Sequence, residues 1–212
     1  MYRKYIKRLL DYILAVVLLA ALSPIMLLTA IAIKLEDPKG PVLFKQERVG
    51  KDGRIFKIYK FRTMKTDDKA EKNFDSSKDA ERITFIGKIL RRTKIDELPQ
   101  LFNVAKGDMA LVGPRPTIKI QVDNYTSHEM QRLKVRPGMT GLAQVNGNVA
   151  LPWDKRIEYD VFYVNNYSVI LDIKILLKTI AIILFGEKHF KKEITKVSTQ
   201  IGFRDDKEHI GI

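Results

Sequence analysis

With 212 residues the chain has room for one domain of ordinary size and a short appendage. It has no cysteine, and its three histidines (His128, His189 and His209) share no ligand-like spacing; this excludes disulfides, thiolate zinc and a thiol nucleophile, and speaks against a histidine metal site. A formal net charge of +13 requires an anionic partner, which leaves nucleic acid, anionic lipid headgroups or phosphorylated small molecules.

The hydrophobic N-terminus narrows that choice. Residues 13–33 run without a charge, a stretch of roughly 31 Å as a helix, which matches the hydrocarbon core of a bilayer. Ser23-Pro24 stands in its middle, where proline removes a backbone donor and crowds the preceding turn. Arg3, Lys4, Lys7 and Arg8 precede the run, and Lys34, Lys39, Lys45 and Arg48 follow it. Cations at both ends favour placing both on the cytoplasmic side. A helix broken at Ser23-Pro24 that enters and leaves by one face fits these residues, and so does a kinked helix that crosses once. The amphipathic head, residues 2–13, suits the interface.

Residues 1–36 are therefore read as a membrane element, 37–186 as a catalytic or binding domain, and 187–212 as a charged tail. The domain opens with the turn-rich Asp37-Pro38-Lys39-Gly40-Pro41, then a predicted hairpin of strands 42–49 and 54–61 around Gly50-Lys51-Asp52-Gly53. Strand alternation puts Lys60 and Arg62 on one face. Residues 65–80 are polar and are predicted as a loop. Helices are predicted over 84–92, from Asp96 to about 104, near 127–134, over 153–165 and over 171–185, with extended pieces at 109–112 and 142–145. The last helix is strongly apolar, but Asp172, Lys174 and Lys178 make it a core or membrane-surface helix rather than a second span. The fold class is mixed and irregular α/β, with interfacial amphipathic helices and no doubly wound sheet.

The densest cluster of chemistry is residues 91–101, where three cations precede Asp96-Glu97 and an apolar helix carries Pro99 in its first turn. With Asp96 as the N-cap, the helix dipole and neighbouring cations would keep it ionised, as nucleophilic phosphoryl transfer requires. A cap followed by a surface acid is the commoner meaning of Asp-Glu before a helix. Arg115 lies between Pro114 and Pro116, which stiffen the backbone presenting it. Arg136 opens a Gly-rich stretch to Gly147, a loop that can cradle phosphate or turn the chain. Neither a P-loop nor a dinucleotide fingerprint occurs. Glu158, Tyr159, Asp160 and Tyr163 form an acid-rich helical face with the look of a solvated surface.

The order of these motifs is that of a known family. An apolar segment with Ser-Pro, then KFRTM (60–64), KIDELPQL (94–101), LVGPRP (111–116), RPGMTGLAQVNG (136–147) and YDVFYV…LDIKIL (159–176) resembles the bacterial sugar transferases, the monotopic phosphoglycosyl transferases in their minimal catalytic-core form. The resemblance implies a re-entrant helix broken at Ser23-Pro24 and a small cytoplasmic domain on the bacterial inner membrane. It implies transfer of a phospho-sugar from a UDP-sugar to polyprenyl (undecaprenyl) phosphate at the start of glycan assembly. Asp96 would attack the β-phosphate and Glu97 would assist, the two also holding Mg²⁺. Lys60, Arg62, Arg115 and Arg136 would bind substrate phosphates. Membrane phospholipids are implied partners and nucleic acid is not. The alternative reading is a basic, membrane-tethered module that binds nucleic acid or anionic lipid without catalysis; its cations would run as a stripe interleaved with aromatics, whereas here they sit at Pro/Gly turns beside acids.

Overall fold

The computed structural model describes residues 2–65 and 82–186. Most of the polar loop predicted over 65–80, and the tail over 187–212, lie outside the described residues.

The N-terminal apolar run forms a single helix, α1 (Lys7–Glu36), entered through a π-type turn at Tyr2–Ile6. Asp37 turns extended ahead of Pro38, which ends the helix. Pro24 sits inside α1, so the expected break into two helices is not seen as an interruption of the helix. The reason is local. Proline leaves the carbonyl of Ala20 without its backbone donor, and the Ser23 hydroxyl donates to that oxygen at 2.8 Å.

One face of α1 packs closely on the rest of the chain toward its two ends, and only through half-buried residues between them. Lys7, Asp11, Ala15, Thr29 and Ile33 are buried, at steps of four or multiples close to the helical repeat. Ala15, with the half-buried Leu19 and Leu22, enters the main core beside Leu101, Val104, Met109, Tyr163 and Ile175. Farther along, Met26, Ala30 and Ile33 join a second cluster with Phe61 and Leu90.

Strands β1 (Leu43–Val49) and β2 (Ile55–Phe61) form the predicted antiparallel hairpin, in register from Leu43 opposite Phe61 to Val49 opposite Ile55. Its turn is made by Asp52 and Gly53, both at positive φ. Helix α2 (Phe85–Thr93) starts at Thr84, whose hydroxyl accepts from Gly87 N–H at 2.9 Å. Two further orphan donors, Phe85 and Ile86 N–H, give to the Glu36 carboxylate at 2.6 and 3.0 Å, so the end of α1 caps α2.

Lys94, left-handed at φ 61°, stops α2 and throws the chain into a tight 3₁₀ turn, Ile95–Glu97. Helix α3 (Gln100–Lys106) follows Pro99 and ends at Gly107. Asp96 is therefore inside a turn and not the expected N-cap. Because Lys94 reverses the backbone, the helix starts only after the proline.

Strand β3 (Ala110–Val112) lies, after a short helix α4 (Lys119–Val122) and a 3₁₀ stretch Glu129–Lys134, parallel to β4 (Gly138–Thr140). The extended piece expected over 142–145 is instead helix α5 (Leu142–Val145), and the strand falls earlier. Glycine decides this: a Cβ on Gly138 would stand 2.1 Å from the Gly113 nitrogen, and one on Gly141 2.1 Å from the Gly113 oxygen. The glycines of this stretch thus let two backbones approach closely. Gly138→Ala is expected to cost at least about 2 kcal/mol, read as a lowered thermal midpoint, because only backbone atoms could yield.

Helices α6 (Trp153–Asn166) and α7 (Val169–Phe185) close the fold, and Ser168 caps α7. Tyr163 donates to Asp172 at 2.7 Å, and Asp172 also accepts from Lys7 at 2.7 Å and from Tyr2 at 2.5 Å. The start of α7 so fastens the start of the chain. Its outer face leaves Ile170, Ile173, Leu177, Ile180, Ile183 and Leu184 exposed.

Candidate active site

The turn at Ile95–Glu97 places two consecutive carboxylates at the junction of β2, α2 and α3, and gives them opposite surroundings. Glu97 is clamped. Lys60 from β2 donates to its Oε1 at 2.8 Å, and Arg115, from the rigid Pro-Arg-Pro segment after β3, donates to the same oxygen at 2.8 Å. Burial alone would raise the Glu97 carboxyl, but the two cations outweigh it and hold it down to about 2.

Asp96 is the reverse case. It is buried, at 8% exposure, yet neither of its oxygens takes a hydrogen bond or ion pair from a described residue. Burial pushes its carboxyl above the usual range, and the charge on Glu97 adds to the rise; Lys60, Arg91 and Lys94 oppose it from a distance. One carboxylate is fixed through one of its oxygens, and its neighbour is uncommitted and of raised basicity. That division suits a nucleophile with an electrostatic partner.

Of the four cations proposed from sequence, two reach this turn and two do not. Lys60 and Arg115 converge on Glu97. Arg62 instead forms an ion pair with Asp37 and donates to the Asp37 carbonyl at 2.9 Å, clamping the end of α1. β2 ends at Phe61, so the strand alternation that would have kept Arg62 beside Lys60 does not extend to it. Arg136 faces the first turns of α1, in a cleft with Arg8 and Asp11. Both departures rest on contacts far apart in sequence.

Two residues enter that the sequence did not assign to the site. Arg48, near the end of β1, is half-buried and close enough to Arg115 for their charges to repel; burial first, and Arg115 second, lower its pKa. Spacing gave no signal for it. Arg132 is buried and holds the Pro-Arg-Pro backbone: its guanidinium donates to the Arg115 carbonyl at 2.9 Å, to the Tyr125 hydroxyl at 2.6 Å and to Asp160 at 2.5 Å. The acid-rich face of α6 therefore divides. Asp160, Tyr159 and Tyr163 are buried, and only Glu158 stays on the surface, paired with His128 at 3.0 Å.

Among the described residues no three His, Asp or Glu side chains gather as a ready-made metal cage. Mg²⁺ does not ask for one, since it is held by one or two carboxylates together with water and substrate phosphates. Asp96 with Glu97 meets that demand: an uncommitted, charge-repelled carboxylate is what a divalent cation would relieve.

The family of bacterial sugar transferases matches residues 2–186, which include every element described above. The chain belongs to this family. Among its relatives is the uncharacterized sugar transferase EpsL of Bacillus subtilis, 46% identical over 182 residues, covering 86% of this chain and 89% of the relative. A UDP-N-acetylgalactosamine-undecaprenyl-phosphate N-acetylgalactosaminephosphotransferase of Aeromonas hydrophila is 47% identical over 189 residues, 86% of this chain and 44% of that protein. A UDP-glucose:undecaprenyl-phosphate glucose-1-phosphate transferase of Escherichia coli is 40% identical over 185 residues, 84% and 40% respectively. The bacterial sugar transferase described here thus spans under half the length of the latter two. In it the dyad, its two clamping cations and the helix that carries the apolar run all lie inside the matched region.

Proposed function

We propose that this bacterial sugar transferase moves a phospho-sugar from a UDP-sugar to undecaprenyl phosphate through a covalent intermediate on Asp96. The observation that carries the reading is the unequal dyad: Glu97 is clamped through one oxygen by Lys60 and Arg115, and Asp96 is left without a hydrogen-bond or ion-pair partner among the described residues. An Asp96 oxygen attacks the β-phosphorus, the bond from that phosphorus to the α-phosphate oxygen breaks, and UMP leaves. The acceptor phosphate then attacks the same phosphorus, and Asp96 is released as a carboxylate. Lys60 and Arg115 are placed to trade part of their hold on Glu97 for the donor's phosphates, with Arg48 adding charge beside Arg115. Mg²⁺ held by Asp96 and Glu97 would neutralise phosphate charge. Names of relatives support the donor and acceptor classes.

The test is a panel of UDP-sugars incubated with the purified full chain, first without and then with undecaprenyl phosphate. UMP is expected from one donor before the acceptor is added. UMP appearing only when both substrates are present would remove the covalent route.

Protonation of Asp96 should set the acid limb of kcat/KM, above the ordinary carboxylate range because its carboxyl is raised. In Glu97→Gln the neighbouring negative charge is gone and Lys60 and Arg115 are released, so both changes lower the Asp96 pKa. The acid limb is expected to move to lower pH even as the maximal rate falls. A pH profile of the variant checks the direction.

The same proposal places α1 in the membrane as a re-entrant element on the cytoplasmic face. Residues 7–36 are long and apolar enough to cross, and only 11% of the most apolar stretch is buried within the fold, unlike a core helix. Both ends of α1 are nevertheless tied to one body, by Lys7 to Asp172 at one end and by Glu36 to α2 at the other. The exposed apolar face of α7 would lie on the same surface. Cysteines placed at positions 1 and 39, in a chain with none of its own, are expected to react with an impermeant thiol reagent only from the cytoplasmic side.

A further inference from the structure

The first turns of α1 and the far end of α3 enclose a cleft of about 550 Å³ that the transfer chemistry leaves unused. Two arginines reach it. Arg8 lies against Gly107, whose hypothetical Cβ would stand 3.3 Å from the Arg8 Nη2, and Arg136 comes from the opposite side, ahead of β4. Among the described residues neither guanidinium has a hydrogen bond or a salt bridge. The carboxylate in the cleft, Asp11, is engaged already, by the Leu111 N–H at 3.2 Å and by Lys7 at 3.5 Å. Lys7 is itself held by Asp172. The cleft therefore keeps a surplus of positive charge in a fork geometry suited to a phosphate group.

Its rim is of another kind. Tyr5, in the turn that leads into α1, and Leu9 and Tyr12, on α1, line the cleft at 62, 59 and 51% exposure, next to the two arginines. A phosphate carried on an apolar tail matches both parts, and a free phosphate would match only the inner one. The site is separate from the reaction centre: the residues that line it include none of Asp96, Glu97, Lys60 and Arg115.

We propose that this cleft is a resident site for one anionic membrane phospholipid, its phosphate between Arg8 and Arg136 and its acyl chains along Leu9 and Tyr12. The inference rests on the membrane placement of α1 proposed above. A lipid bound there joins α1 to α3 and β4, and anchors the domain at headgroup depth.

The test uses the full chain reconstituted in nanodiscs of phosphatidylcholine with and without phosphatidylglycerol, extracted into mild detergent and weighed by native mass spectrometry. The intact chain is expected to retain a single phosphatidylglycerol. Arg8→Gln and Arg136→Gln should each reduce retention roughly tenfold or more, the loss of one charge-assisted phosphate bond. Lys51→Gln, which removes the same charge from the exposed hairpin turn, should retain it fully. Equal retention in all variants would overturn the site. Two additions separate the sources. Displacement by millimolar inorganic phosphate would make this a site for free phosphate, and displacement by undecaprenyl phosphate at equimolar ratio would make it an acceptor site; either result overturns the resident-phospholipid assignment. A chain that fails to enter nanodiscs of any composition would instead sink the membrane placement, and this proposal with it.

Discussion

Asp96→Asn is expected to abolish UMP release, a loss of roughly 10³- to 10⁶-fold, while leaving the protein as stable as before or slightly more so. The two halves of that expectation come from one observation. A catalytic nucleophile needs a free lone pair, and Asp96 is the carboxylate in the dyad that no described cation or donor occupies. The same lack of partners makes its charge costly to the fold, since burial and the Glu97 charge both disfavour ionisation. Asparagine removes that cost and the nucleophile together. A structural acid would behave in the opposite way, with lost stability and residual activity. Labelled phospho-sugar retained on the denatured wild-type chain, and absent from the variant, reads the chemistry; a thermal melt reads the fold. Retained turnover in a well-folded Asp96→Asn chain would end the nucleophile assignment. Glu97→Gln is the informative partner, because its loss should slow the reaction and shift the acid limb without preventing the covalent adduct.

How much of this was legible in the sequence depended on the range of the interactions involved. The hairpin over 43–61 followed from β-prone runs around Gly50-Lys51-Asp52-Gly53, and its strands end within a residue of the expected bounds. Helices α6 and α7 followed from periodicity in the same way. These are local signals. At Ser23-Pro24 a break had been expected, but the helix continues, and the Ser23 hydroxyl takes up the carbonyl that Pro24 leaves without a donor. The strand expected over 142–145 failed because the close approach of Gly138 and Gly141 to Gly113 joins segments some 25 residues apart, which no window on one of them can register. The site behaved alike. Asp96, Glu97, Lys60 and Arg115 stand in motifs dense with Pro, Gly and opposite charges, and they do assemble. Arg62 and Arg136 stand in equally marked motifs and lie elsewhere, Arg62 against Asp37 and Arg136 beside the first turns of α1, because tertiary packing chooses their surroundings.

Asp160 was the plainest misreading, and it leads to the second large effect. An acid on a helix that also carries Glu158 looks solvated, but Asp160 is 2% exposed and its partner Arg132 4%. Asp160→Ala is expected to destabilise the protein by about 3–5 kcal/mol, because it strands a buried guanidinium. If the pair served stability alone, replacing both members with apolar residues of similar volume would restore function along with the fold. The double variant Arg132→Met with Asp160→Leu should recover most of the stability. It should not recover donor binding, since nothing then holds the Arg115 carbonyl and the stiff segment loses the contact that aims its side chain at Glu97. The expected signature is a raised KM for the UDP-sugar in a chain that melts near the wild-type temperature. The pH dependence supplies an independent check. Burial pushes the Asp160 carboxyl up to about 6, against the pull of Arg132. A raised folded-state value means that the native chain takes up this proton more readily than the unfolded one, so the cost of the buried charge is full above about pH 6 and eases as pH falls toward about 4. That part of the stability profile should vanish in the double variant. A double variant with wild-type KM would show that Arg132 serves only the fold, and that the proline-flanked Arg115 keeps its aim unaided.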